Sequence, residues 1–267
     1  MLSKLIGYEF RATRRIFFPA YLALLALSVL NAVSFALTSS LDHLSLPSGL
    51  LMMVYVVAIM AVAFLSLAYM IVRFYQNLLG DEGYLMFTLP VRPWQLLWSK
   101  AIVSTVWMAV SVILSGISIM IVTFGGLIAD GEFGNLLQEL PILWNGLASE
   151  FGGGFLVGVS LEVIVCGLIY VIAFCMHIYV ALSLGQLFHR FRLGMSFVMY
   201  VVCSIVEQVV FMVFGNVANE FNLFPTAWNA QTSAVIAVLV MILWSAITAA
   251  VYFMISNYLL SRKLNLQ

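Results

Sequence analysis

The sequence predicts an all-α integral membrane protein with six transmembrane helices, a basic amphipathic helix before the first span, and a short cytoplasmic helix between spans two and three. Three observations lead there. Charged residues make up only 8% of the 267 residues while hydrophobic residues make up 64%. Long apolar runs recur along the whole chain. Every Lys and Arg falls in alternate segments between those runs.

The first observation sets the solvent. A soluble domain carries about 25% charged residues to cover its surface. A chain this poor in charge presents most of its surface to something apolar, and the bilayer fits. The length would allow one or two soluble domains, but the apolar runs leave no stretch for one. Residues 1–267 read as a single transmembrane domain. Cys166, Cys175 and Cys203 all sit within apolar runs, as small packed or lipid-facing residues rather than a disulfide framework. The basic start before the first run resembles a signal peptide, but the run exceeds the usual apolar core of about 7–15 residues. It reads as a retained span.

The second observation gives the spans. Backbone polar groups in lipid must be satisfied internally, so spans are helices or closed barrels. A barrel would show segments of about 10 residues alternating in polarity. The runs here are unbroken and long enough to cross a core of about 30 Å as helices. They cover 16–38, 50–72, 101–128, 155–187, 193–215 and 232–256.

The third observation orients them. Lys4, Arg11, Arg14 and Arg15 precede span one. Arg73, Arg92 and Lys100 lie between spans two and three. Arg190 and Arg192 lie between four and five, and Arg262 and Lys263 follow six. The other segments carry Asp42, Asp130, Glu132, Glu139, Glu150 and Glu220 instead. Short Lys/Arg-rich segments stay inside, so both termini are expected in the cytoplasm. Trp94, Trp98, Trp144 and Trp228 fall near span ends, where amphipathic rings prefer the headgroup layer.

Segments outside the spans carry further information. In Met1–Arg15, Leu2, Leu5, Ile6 and Phe10 share one side of a helix and the basic residues flank or oppose them, a pattern suited to the inner interface. In 73–100, Asp81 is a good N-cap, Glu82 adds favourable charge at a helix start, and Pro90 ends the helix. The resulting two turns hold Tyr84, Leu85, Met86, Phe87 and Leu89. Two readings stand for this cluster: it docks in a groove of a partner protein, or it half-sinks into headgroups. Residues 215–231 read as a short re-entrant or interfacial element, or as a plain loop. Residues 130–154, acidic and ending in three glycines, read as a mobile connection.

Catalytic equipment is sparse. No GxxxxGK[ST], HExxH or GxSxG sequence occurs, and no lysine follows a glycine. His43, His177 and His189 lie at different levels and make no metal set; His177 reads as a satisfied packing histidine. Basic residues serve topology, so nucleic-acid binding has no support. Within the spans, Glu162 and Glu207 each lie about two turns from the outer end of consecutive antiparallel helices. They read as a carboxyl pair at similar depth lining a translocation path, or as shallow residues reaching water or bonded between helices.

The loop GDEGYLMFTLPVRPWQLLWSK, Gly80–Lys100, resembles the first cytoplasmic loop of bacterial ABC-type export permeases of the six-span, type V class. The N-terminal LSKLIGYEFRATRRIFFPAYLALL resembles the amphipathic N-terminal helix of that class, especially in Gram-positive bacteria. The resemblance implies a permease subunit in a bacterial plasma membrane, coupled to a separate ATP-binding cassette ATPase. Carried over by residue, coupling falls on Asp81, Glu82, Gly83, Tyr84, Phe87, Leu89 and Pro90, with Glu9, Phe10, Arg11 and Arg14 beside the same partner. ATP and Mg would then belong to the partner, with no cofactor in this chain. Two permeases, identical copies or paralogues, would meet through spans one, two and five. Family members often carry re-entrant helices in a longer segment between spans five and six; here that segment is short. Family cargoes include antimicrobial peptides, drugs, lipids and glycans, and nothing in this sequence selects among them. Two other classes compete with this reading: a non-transporting scaffold or sensor, and a secondary transporter using Glu162 and Glu207.

Overall fold

The computed structural model describes residues 2–38, 46–79, 91–188, 191–221 and 229–262. Seven long helices make up almost all of them: α1 Leu2–Thr38, α2 Leu46–Phe74, α3 Pro93–Ala129, α4 Phe133–Phe151, α5 Gly153–Gly185, α6 Arg192–Glu220 and α7 Ala230–Arg262. The chain after α2 continues as a wider π-type turn, Tyr75–Leu79. Among the described residues no strand forms. Six helices, all but α4, are long and apolar enough to cross a membrane. This is a multi-pass membrane protein.

Two features differ from the sequence expectation. The basic segment and the first span form one unbroken helix, α1, with Pro19 inside it. A separate interfacial helix is therefore not seen. Glu9 and Thr13 are buried on this helix while Lys4, Arg11, Arg14 and Arg15 are exposed. The expected connection at 130–154 is instead mostly helix. Phe133, Leu136, Leu137, Leu140, Leu143, Trp144 and Leu147 recur at helical spacing along one face of α4. That periodicity outweighs Gly134 and Gly146 inside the helix, while Gly131 and Gly152 beside its ends take positive φ of 74° and 85°.

The chain packs as two compact units. The N-terminal unit comprises Gly7–Tyr69 and Val106–Gly153, and the C-terminal unit comprises Met1–Ile6, Met70–Thr105 and Gly154–Gln267.

An aromatic cluster organises the N-terminal unit. Phe17, Tyr21, Leu24, Tyr55, Val62 and Val122 are buried together, with Trp107 packed against them. Trp107 stacks on Phe17, ring centroids 4.6 Å apart and planes 8° apart. Stacked aromatic pairs contribute about 0.5–1.5 kcal/mol beyond their burial. Each polar handle in the cluster finds a partner. The Trp107 indole N–H donates to Thr13 Oγ1 at 2.7 Å, and the Thr13 hydroxyl donates to the Glu9 carbonyl at 2.9 Å. Tyr21 pairs with Ser111 at 2.8 Å and Tyr55 with Ser118 at 3.0 Å. Asn31 bridges α1 to α2 through the Leu51 carbonyl at 3.3 Å. Interhelical hydrogen bonds of this kind hold membrane helices together because apolar attraction between them is weak in lipid. Gly125 completes the contact of α3 with α1: a Cβ there would run into the backbone and side chain of Ala32.

In the C-terminal unit α5 changes character along its length. Residues from Ala173 to Gly185 are nearly all buried, whereas the half before them is not. Tyr179 anchors the buried half. Its ring stacks on Phe74 at 4.0 Å and its hydroxyl meets Ser104 at 2.8 Å. Near the end of α5, Gly185 lets α6 approach, and any side chain there would strike Ser196. Trp98 meets Phe253 of α7 at 5.2 Å. These contacts hold α5, α6 and α7 as the walls of the site described next.

Candidate functional site

α5 and α6 run back to back through the short connection that follows Gly185. In a helical hairpin, residues equally distant from the turn face each other. His177 on α5 therefore meets Tyr200 on α6, with ring centroids 4.7 Å apart. On α6, Tyr200, Ser204 and Glu207 follow at spacings of four and three, one face of a helix. All three reach His177. The third wall, α7, brings Tyr252, whose ring lies 4.9 Å from that of His177.

The hydrogen bonds converge on one carboxylate oxygen. Tyr252 donates its hydroxyl to Glu207 Oε2 at 2.9 Å. His177 Nδ1 lies 3.4 Å from the same oxygen. On the other side of the ring, Nε2 lies 3.3 Å from the Tyr200 carbonyl and 3.4 Å from Ser204 Oγ. Ser204 already donates its proton to that carbonyl at 2.9 Å.

Proton accounting follows from these distances. A carbonyl only accepts, so Nε2 carries a hydrogen when it bonds Tyr200. A neutral imidazole has one N–H, so Nδ1 would then present a lone pair. Its neighbour Oε2 presents lone pairs as well when Glu207 is ionised. In the other neutral tautomer Nδ1 carries the hydrogen and donates to Oε2 while Nε2 accepts from Ser204, so the His177–Glu207 contact is then a hydrogen bond with no added proton.

These groups border a cavity of about 700 Å³ within the C-terminal unit, walled by α5, α6 and α7. Its aromatic lining comprises Tyr170, Phe174, Tyr200, Phe211, Trp244 and Tyr252. Phe211 meets Trp244 edge-on at 5.0 Å. Glu207 is the one carboxylate among the lining residues, and no Lys or Arg is among them. Its side chain keeps 27% of its surface exposed, while that of His177 keeps 11%. Cavities of this size suit small organic ligands, and an intramembrane carboxylate facing one marks a binding or transport path.

The expected site residues fall in different places. Glu207 lines the cavity; Glu162 is not among its lining residues. About 22 Å of helix axis separates Glu162 from His177 along α5. By the same rule Glu207 lies level with Tyr170 of α5, about 12 Å of helix axis from Glu162. Among the described residues Glu162 Oε2 is buried without a hydrogen-bond partner. His177, expected to be a packing histidine, is the carboxylate's partner, and Tyr252 was not foreseen. The readable signal was the matched distance of His177 and Tyr200 from the α5–α6 turn. Glu9 is buried, and Arg11 and Arg14 are exposed on α1. Asp81, Glu82, Gly83, Tyr84, Phe87, Leu89 and Pro90 lie outside the described residues. Among the described residues, no three His, Cys, Asp or Glu side chains gather as metal ligands.

No family model, curated protein or solved structure matches this chain.

Proposed function

We propose that the chain is the permease subunit of an ATP-driven exporter in a bacterial plasma membrane, with both termini in the cytoplasm. The observation that carries the transport reading is the cavity itself: about 700 Å³ walled by three spans, with one carboxylate–histidine pair on its wall. The six spans and the one-sided Lys and Arg support the orientation.

The energy source rests on the loop Gly80–Lys100 and its likeness to permease coupling loops. In this reading a separate ATPase grips Tyr84, Phe87 and Leu89, and ATP-driven movement of that loop rearranges the spans. A second copy or a paralogue completes the complex. Affinity purification from the native membrane is expected to bring down an ABC-type ATPase with vanadate-sensitive turnover. Phe87→Asp and Tyr84→Asp are expected to release it. ATPase binding that survives both substitutions overturns the coupling role.

The His177–Glu207–Tyr252 cluster favours a second reading, an ion-coupled transporter. A carboxylate and a histidine in contact within the spans give such a protein a means of coupling to a gradient. Transport that persists without ATP and collapses when the proton gradient is dissipated would select this reading over the first.

A further inference from the structure

From the cavity chemistry we infer that the α5–α7 site binds a monovalent organic cation with an apolar body. This deepens the permease reading by naming the cargo class, but the binding itself does not depend on how transport is driven.

The inference starts from charge. Glu207 Oε2 is engaged by Tyr252 and faces His177. Oε1 forms no hydrogen bond among the described residues. The Glu207 side chain is partly exposed and lines the cavity. No Lys or Arg of the lining is there to neutralise it. In a low-dielectric site a carboxylate favours a positive ligand far more than it would in water.

Shape and surface select the kind of cation. Tyr170, Tyr200, Phe211, Trp244 and Tyr252 offer ring faces and edges around the same space. Aromatic rings attract cations through their quadrupoles, more so for ligands that shed little hydration. A small hydrated metal ion would leave most of a 700 Å³ cavity unfilled and would find no second carboxylate among the lining residues. An organic cation with aromatic or aliphatic substituents fills the space and buries apolar area against the walls.

The test uses the full chain in lipid nanodiscs and tetraphenylphosphonium as the probe, with empty nanodiscs subtracting partition into lipid. Binding is read by equilibrium dialysis and by quenching of tryptophan fluorescence. Saturable binding is expected. Glu207→Gln is expected to lower affinity at least about tenfold. Trp244→Leu is expected to lower it about three- to tenfold. Circular dichroism and thermal melting establish that each variant is folded, and Glu207→Asp provides a conservative variant that should keep part of the affinity. Equal binding of triphenylphosphine oxide, a neutral analogue, would overturn the inference. So would cation binding that is indifferent to Glu207→Gln in folded protein. Cation binding without transport in vesicles would instead count against the permease reading and leave the inference standing.

Discussion

The two units of this protein use intramembrane polar groups in opposite ways. In the N-terminal unit, Trp107, Tyr21, Tyr55 and Asn31 reach neighbouring helices, and each finds a neutral partner within a packed aromatic cluster. In the C-terminal unit, Glu207 and His177 meet on the wall of a cavity. The first arrangement spends polar groups on holding helices together. The second leaves ionisable groups where a ligand can reach them. A polar residue in a span is therefore not a functional signal by itself; the space beside it and its capacity to change charge make it one.

Four changes would break or sharpen this contrast. The largest effect is expected at Gly125→Leu, which drives a side chain into the Ala32 backbone. Folded protein should be largely lost, as read by the monodisperse fraction in size-exclusion chromatography. Next comes Trp107→Ala, which removes the ring stacked on Phe17 and the donor to Thr13. Large-to-small changes of this kind cost about 3–5 kcal/mol. Reversible denaturation should show that loss, while the ligand preference of the C-terminal unit stays unchanged in whatever protein remains folded. Glu207→Gln should do the reverse: stability within about 1 kcal/mol of the parent, since the amide oxygen still accepts from Tyr252, with cation binding reduced at least about tenfold. The smallest effect belongs to Tyr21→Phe, which deletes one interhelical hydrogen bond to Ser111. Such bonds average about 0.6 kcal/mol in membrane proteins. A loss well above about 2 kcal/mol would mean the N-terminal cluster carries more than packing.

Much of the fold was legible because lipid imposes a simple rule. Apolar runs longer than the hydrocarbon core must be helices, and all six are present. What escaped was α4, whose apolar residues are interspersed with Gln138, Glu139 and Asn145. Its hydropathy is too low for a span, and only the spacing of Leu136, Leu140, Leu143 and Leu147 betrays the helix. In the site, Glu207 was legible because a lone carboxylate in an apolar run is costly. Its partner was not, because His177 lies on a different span and their meeting depends on how α5 and α6 register across the turn. Glu162 misled for the same reason. It has the same chemistry as Glu207 but is not among the residues lining the cavity.

The central claim is that the α5–α7 cavity is where this protein handles its cargo. The measurement that bears on it most directly is uptake of labelled tetraphenylphosphonium into inverted membrane vesicles, comparing the parent chain, Glu207→Gln and Tyr21→Phe at matched amounts of folded protein. The account predicts uptake by the parent and by Tyr21→Phe, and loss of most of it in Glu207→Gln. Uptake that is equal in all three, or absent from the parent, would contradict it.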